Sequence, residues 1–215
     1  MGPAEHAQLI EAEAGRQGHK LGWSLYYCPM AWARSARLAT IGLNPGGGRD
    51  DGTDWARRTQ LEDHVGNSYL CQSWGTNGGK TVLQTQIARL LAVAGVEQED
   101  VVSLNVVPFR SPSWAELANK KAAVDFGLNL VSEALRSPRL RLIVGFGLSA
   151  IESRLVDRLG FVQQDRLPTG WGTIQAGRFV RKEQTLLLLP HLSRFGVLGR
   201  EQGAGLESAI RKAMG

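Results

Sequence analysis

Short apolar runs alternate along this chain with longer stretches in which apolar residues recur every three or four positions. That alternation predicts β-strands connected by crossover helices, with the strands buried on both faces of a mostly parallel sheet. The runs place strands at about Leu38–Leu43, Val101–Val106, Leu140–Gly145 and Thr185–Leu189. Between the first two, "VLQTQIARLLAVAG" puts Val82, Ile87, Leu90 and Leu91 on one stripe that stops at Gly95, a helix with a glycine end. "SWAELANKKAAVDFGLNLVSEALRS" offers Ser113 as an N-cap, with Leu117, Val124, Leu128 and Val131 on the buried side of a second helix. "GLSAIESRLVDRLG" supplies a third helix, and "LPTGWGTIQAGRFVRKEQ" reads as a hairpin or a loop. The expectation is one α/β domain over residues 1–215, three layers thick, with a central, mostly parallel four-stranded sheet flanked by helices.

Composition changes this picture little. At 215 residues the chain can bury a sizeable core without staples. Lys and Arg number 25 against 20 Asp and Glu, a net charge of +5 that suits a phosphate-bearing partner without requiring one. The two cysteines, Cys28 and Cys71, make neither a metal knuckle nor a disulfide framework. The apolar runs are shorter than the roughly twenty residues of a membrane span, and MGPAEHAQLIEAEAG lacks the apolar stretch of a signal peptide. A cytoplasmic, monomeric protein with no membrane partner is expected.

In parallel α/β sheets ligands gather outside the carboxyl ends of the strands, where loops converge and helix N-termini present free N–H groups. Three of the four strand ends carry chemistry: Asn44-Pro45-Gly46, then Asn105 followed by "VVPFRSP", then Pro190-His191-Leu192-Ser193-Arg194. Two glycine-rich segments do not fit phosphate motifs. "GTNGGKT" (75–81) carries Trp74 where a Walker A loop needs its first glycine, and no apolar strand leads into it. Gly46-Gly47-Gly48 is followed by Asp51 where a dinucleotide fingerprint needs its third glycine. Asp50, Asp51 and Asp54 lack the closing glutamate of a calcium loop and read as a solvated acidic segment. His6, His19 and His64 have no partner visible in sequence and are expected at the surface.

Two asparagines and a histidine at neighbouring strand ends, without a carboxylate or cysteine cluster, suit a planar heterocycle better than a metal. The amide oxygen of Asn44 can hold a water, and the Asn105 amide complements the N–H and C=O edge of a pyrimidine. His191 can donate to an atom that turns negative as a bond breaks. The set describes cleavage of a glycosidic bond. Taken singly, each residue also has a plain structural role: Asn44 in a turn, Asn105 capping the turn before Pro108, His191 bonded to a carbonyl.

With those residues in view, the chain resembles the uracil-DNA glycosylase superfamily, in order along most of its length. "GLNPG" (42–46) is similar to the family's water-positioning motif, as its mismatch-specific and single-strand-selective branches carry it. "GGKTVLQTQIARLLAVAGVEQEDVVSLNVVPFRSP" resembles the central helix and the strand whose asparagine reads the base, here Asn105. "LRLIVGFGLSA" is similar to the next strand and turn, and "LLLLPHLSRFG" to the second motif, with His191 and Ser193 in place. The resemblance implies a monofunctional DNA glycosylase that flips out uracil or a related modified base and hydrolyses its glycosidic bond. DNA, single- or double-stranded, would be the partner. Asn44 and His191 would be catalytic, and Gly42, Leu43, Pro45, Gly46, Trp55, Asn105 and Ser193 would surround the base. Trp55 is the nearest stacking aromatic, with Tyr69 in reserve. Arg110, Leu192 and Arg194 would meet DNA, and the wedge entering the stack could be Leu192, Arg194 or Phe195, because the usual His-Pro-Ser-Pro is His191-Leu192-Ser193-Arg194 here. No metal or other cofactor is implied, since the cluster-bearing branches need four cysteines. A bulkier modified base, such as one in phage DNA, and a non-catalytic DNA or base binder of the same fold are the alternatives.

Overall fold

The structure, a computed structural model, describes residues 2–46 and 59–215. It opens with α1 (Pro3–Gln17) and the short β1 (Trp23–Ser24), followed by β2 (Leu38–Gly42). Next come β3 (Thr59–Gln60), α2 (Ser68–Cys71), α3 (Val82–Ala94) and β4 (Val101–Asn105). After α4 (Lys120–Ala134), β5 (Leu142–Phe146) and α5 (Glu152–Leu159), the chain runs through β6 (Val162–Trp171), β7 (Ile174–Arg181) and β8 (Gln184–Leu189) to α6 (Ala204–Met214).

The main sheet has six strands in the order β4-β2-β5-β8-β7-β6. β4, β2, β5 and β8 are parallel neighbours, whereas β7 and β6 add on antiparallel to β8. The expected four-stranded sheet is therefore corrected to a six-stranded mixed one. Periodicity missed the last pair because β6 is an edge strand: Gln163, Gln164 and Asp165 face solvent or lie half-covered, and no buried face imposes an alternating pattern. A two-residue turn at Gly172-Thr173 joins β6 to β7, with Gly172 at φ +54°, the positive value such tight hairpins demand.

Side chains along the parallel strands alternate between two cores. Ala39, Ile41, Leu104 and Ile143 point to one face, where Ile10 of α1, Val131 of α4 and Leu155 of α5 cover them. Leu38, Val101, Leu142 and Val144 point to the other, under Ile87 and Leu90 of α3 and Leu206 and Ile210 of α6. The result is helices, sheet, helices, three layers with both faces of the parallel strands sealed. Among the described residues, no helix is long and apolar enough to cross a membrane.

α3 starts at Thr81, whose hydroxyl accepts from the Gln84 N–H while the Gln84 side chain accepts from the Thr81 N–H, and it ends at Gly95 with φ +65°. The second expected helix begins later than Ser113. Residues 112–119 form turns, Ser113 Oγ donates to Glu116 Oε1 at 2.9 Å, and α4 starts only after Asn119, which sits at φ +47° and donates to the Gln17 carbonyl at 2.8 Å. Tertiary anchoring of Asn119 to the end of α1 overrides the local cap. His6 and His19, expected at the surface, are 4% and 8% exposed. The His19 ring stacks on Phe109 with centroids 4.1 Å apart, and its burial lowers its pKa, so a neutral flat ring is what the core accepts there.

α4 crosses the sheet very close to the end of β4. A Cβ on Gly127 would lie 1.8 Å from the Val106 carbonyl oxygen, so the helix cannot keep its seat with any side chain at that point. Gly127→Ala should lower stability by about 1–3 kcal/mol or more, seen as a reduced urea midpoint at unchanged slope.

Candidate active site

The order of the parallel strands places a reversal at β2: the chain leaves it for β4 on one side and later fills β5 and β8 on the other. Such a reversal opens a crevice at the carboxyl ends of the strands, because the loops on either side of it diverge. A cleft of ≈ 1040 Å³ lies there, lined among others by Gly42, Leu43, Asn44, Gly46, Asn105, Phe146, Gly147, His191, Ser193 and Arg194.

Asn44 leaves β2 half-buried, and its orientation is determined by its neighbours. The Ser111 hydroxyl donates its one proton to the Ser113 carbonyl at 2.8 Å, so toward Asn44 it can only accept. It accepts from Asn44 Nδ2 at 3.0 Å, and the Pro45 carbonyl accepts from the same nitrogen at 3.1 Å. The amide can satisfy both acceptors in one orientation only, with Oδ1 turned away from them. No side-chain oxygen or nitrogen among the described residues is both sealed and unpaired, so Oδ1 is not sealed in, and Asn44 lines the cleft.

Asn105 is 3% exposed at the end of β4, level with Gly42 in the neighbouring strand. Gly42 has to be glycine: a Cβ there would stand 2.5 Å from Asn105 Oδ1. The Asn105 Nδ2 donates to the Tyr27 hydroxyl at 3.2 Å, while Oδ1 has no protein partner among the described residues and is likewise not sealed in, on a residue that lines the cleft. Tyr27 is buried enough that its pKa is raised, which keeps the phenol neutral.

His191 follows β8. The Ser193 backbone N–H donates to its Nδ1 at 3.2 Å, and Ser193 Oγ lies 2.7 Å from the same atom. A backbone N–H can only donate, so Nδ1 is the acceptor and the neutral ring carries its proton on Nε2. His191 is exposed on the cleft, yet the protein packed against one side of its ring desolvates it and, helped by the Arg194 charge, lowers its pKa and favours that neutral form. The imidazole rests on the turn after β5: a Cβ on Gly147, at φ +70°, would be 2.5 Å from its Cδ2, and the Phe146 ring meets it edge-on at 6.4 Å.

The remaining expected residues divide. Pro45 is buried and contributes its carbonyl rather than its ring, and Gly46 accepts from Arg110 Nη1 at 2.9 Å. Ser193 and Arg194 are exposed on the cleft, and Phe195 is half-buried beside them. Leu192 is 0% exposed, packed into the core with Val197 and Leu198, which corrects its assignment as a DNA contact or wedge. A short turn in which the Arg194 and Phe195 N–H groups both donate to the His191 carbonyl rotates Leu192 inward. Trp55 and the acidic run Asp50, Asp51 and Asp54 lie outside the described residues. Tyr69 lines the cleft but is 3% exposed, stacked on Tyr27 at 5.2 Å.

Lys80 does not reach the cleft. Its ammonium donates to the carbonyls of Leu70 and Gln72, which leaves the "GTNGGKT" turn without a phosphate grip. Cys28 and Cys71 are free thiols, and burial pushes Cys28 up to about 12. Sequence reasoning missed Tyr27, Ser111, Phe146 and Trp74. Ser111 lies within the quoted "VVPFRSP", and its adjacency to a strand end was the available signal. Tyr27 has none, because only folding brings residue 27 against residue 105. No protein-family model matches the chain, and comparison with curated proteins finds no relative.

Proposed function

We propose that the chain is a monofunctional DNA glycosylase of the uracil-DNA glycosylase type, excising uracil or a related modified base from DNA and leaving an abasic site. The observation that carries the reading is the convergence of Asn44, Asn105 and His191, from three strand ends, on one cleft, with two amide oxygens and an imidazole N–H presented to it. A keto pyrimidine turned into the cleft would place its N3–H against Asn105 Oδ1, and the second Nδ2 proton of that amide would meet the ring's O4. The bond from C1′ to the base breaks with its electron pair leaving on the base, and the anion is stabilised by the His191 Nε2–H. A water that donates one hydrogen to Asn44 Oδ1 then adds through its oxygen to the cationic sugar carbon. An amide is too weak a base to take the proton, so the path is dissociative and the water's proton leaves to solvent after attack. A bulkier modified pyrimidine is the second reading, for which the cleft of ≈ 1040 Å³, shared with the rest of a bound strand, also has room.

The test uses labelled single- and double-stranded oligonucleotides that carry uracil or a panel of modified pyrimidines. Incubation with the purified chain should yield strand scission only after alkali. Scission without alkali would indicate a lyase step and contradict the monofunctional reading. DNA retention with no scission across the panel would replace catalysis by binding.

A further inference from the structure

Trp74 is 38% exposed, and of the large exposed hydrophobic side chains among the described residues it is the one that lines the cleft. Its position is held rather than loose. The indole Nε1–H donates to Gln72 Oε1 at 2.7 Å, and Gln72 Nε2 donates to the buried Asp63 carboxylate at 2.6 Å. The Trp74 backbone N–H donates to Gln84 Oε1 at 3.1 Å, and Gln84 Nε2 donates to the Gln72 carbonyl at 2.7 Å. Lys80 ties the same stretch through the carbonyls of Leu70 and Gln72. The glycine turn that failed as a phosphate loop thus serves to fasten residues 70–74 to the start of α3.

Tyr27 and Tyr69 meet the indole with ring planes crossed at 69° and 70°, so neither stacks on it in parallel. An aromatic ring clamped by side chains yet without a parallel partner among the described residues is preorganised to receive another flat ring, and the ordering cost of binding has been met in the fold. Arg110 and Arg194 line the same cleft and complement a phosphate chain.

We infer that Trp74, held by Gln72, Gln84 and Lys80, is a stacking platform for an unpaired base of single-stranded DNA next to the extruded nucleotide. This rests on the DNA reading above. In a duplex both faces of a base are covered by its neighbours, so a platform of this kind favours single strands over duplex.

The experiment measures fluorescence anisotropy of a labelled, uracil-free single strand of mixed sequence, and of the same sequence as a duplex. Trp74→Ala should weaken single-strand binding about tenfold and duplex binding by less than about twofold, whereas Trp74→Phe keeps most of the single-strand affinity. Indole emission of the native chain should fall on addition of the single strand, and fall less in Trp74→Phe, which reads the contact even if the alanine variant folds poorly. Unchanged single-strand affinity in Trp74→Ala, equal losses on both DNA forms, or no single-strand binding by the native chain overturns the inference. Failure to cut any oligonucleotide, with Trp74-dependent binding intact, sinks the excision reading and leaves this one standing.

Discussion

Asn44→Ala should, on the proposed reading, reduce uracil excision by about 100-fold or more while leaving oligonucleotide affinity within about twofold, because the lost group would position a water rather than grip DNA. The geometry makes the prediction specific. Asn44 spends its amide nitrogen on Ser111 and on the Pro45 carbonyl, so its oxygen is the atom left for chemistry. Ser111→Ala removes one of the two acceptors that determine the amide's orientation and should cost less, roughly five- to tenfold, with the loss in kcat rather than KM. Single-turnover excision on a uracil oligonucleotide, with binding measured on an uncleaved analogue, separates the two. A large rise in KM for Asn44→Ala at unchanged kcat would remove the water-holding role.

His191→Ala should cost about 100- to 1000-fold in kcat, the range seen when a donor to a developing negative charge is removed. Ser193 directs the ring so that Nε2–H is the free donor, and Gly147 provides the space in which the ring lies. The pH profile follows from the same contacts. Partial desolvation and the Arg194 charge lower the His191 pKa below its ordinary value of about 6.5, so the ring is neutral in the neutral range and excision should be flat there. Protonation puts a second hydrogen on Nδ1, against the Ser193 N–H, and displaces the ring. Excision should therefore fall only as the pH drops below the ordinary imidazole range. The stability linked to this histidine has the same sign: present above its unfolded pKa and lost as pH falls through the lower folded one. An inflection at or above about 6.5 that disappears in His191→Gln would contradict this account.

Much of the architecture was legible because burial leaves a mark on sequence. β2, β4, β5 and β8 are covered on both faces, so each is a continuous apolar run, and all four were located to within a residue or two. α3 stops at Gly95, where its apolar stripe ends. The sequence does not separate hairpin from loop at β6–β7, because an edge strand has one neighbour and tolerates polar residues on both sides. The start of α4 was misplaced because the anchor that delays it, Asn119 on the Gln17 carbonyl, spans 102 residues. The site divides in the same way. The ends of the apolar runs mark Asn44, Asn105 and His191, which the fold brings to one cleft, whereas Leu192, between His191 and Ser193, is core.

The order of apolar and polar residues by itself determined that this chain builds a layered α/β sheet and that its polar strand ends are Asn44, Asn105 and His191, since both follow from local periodicity and from where each run stops. Only the tertiary structure decided which atoms those residues present: Ser111 turns Asn44, Tyr27 meets Asn105, Ser193 selects the His191 tautomer, and Gln72 and Gln84 hold Trp74. A hydrogen-bond partner is selected by proximity in space, and neither its identity nor its direction is encoded in the spacing of residues along the chain.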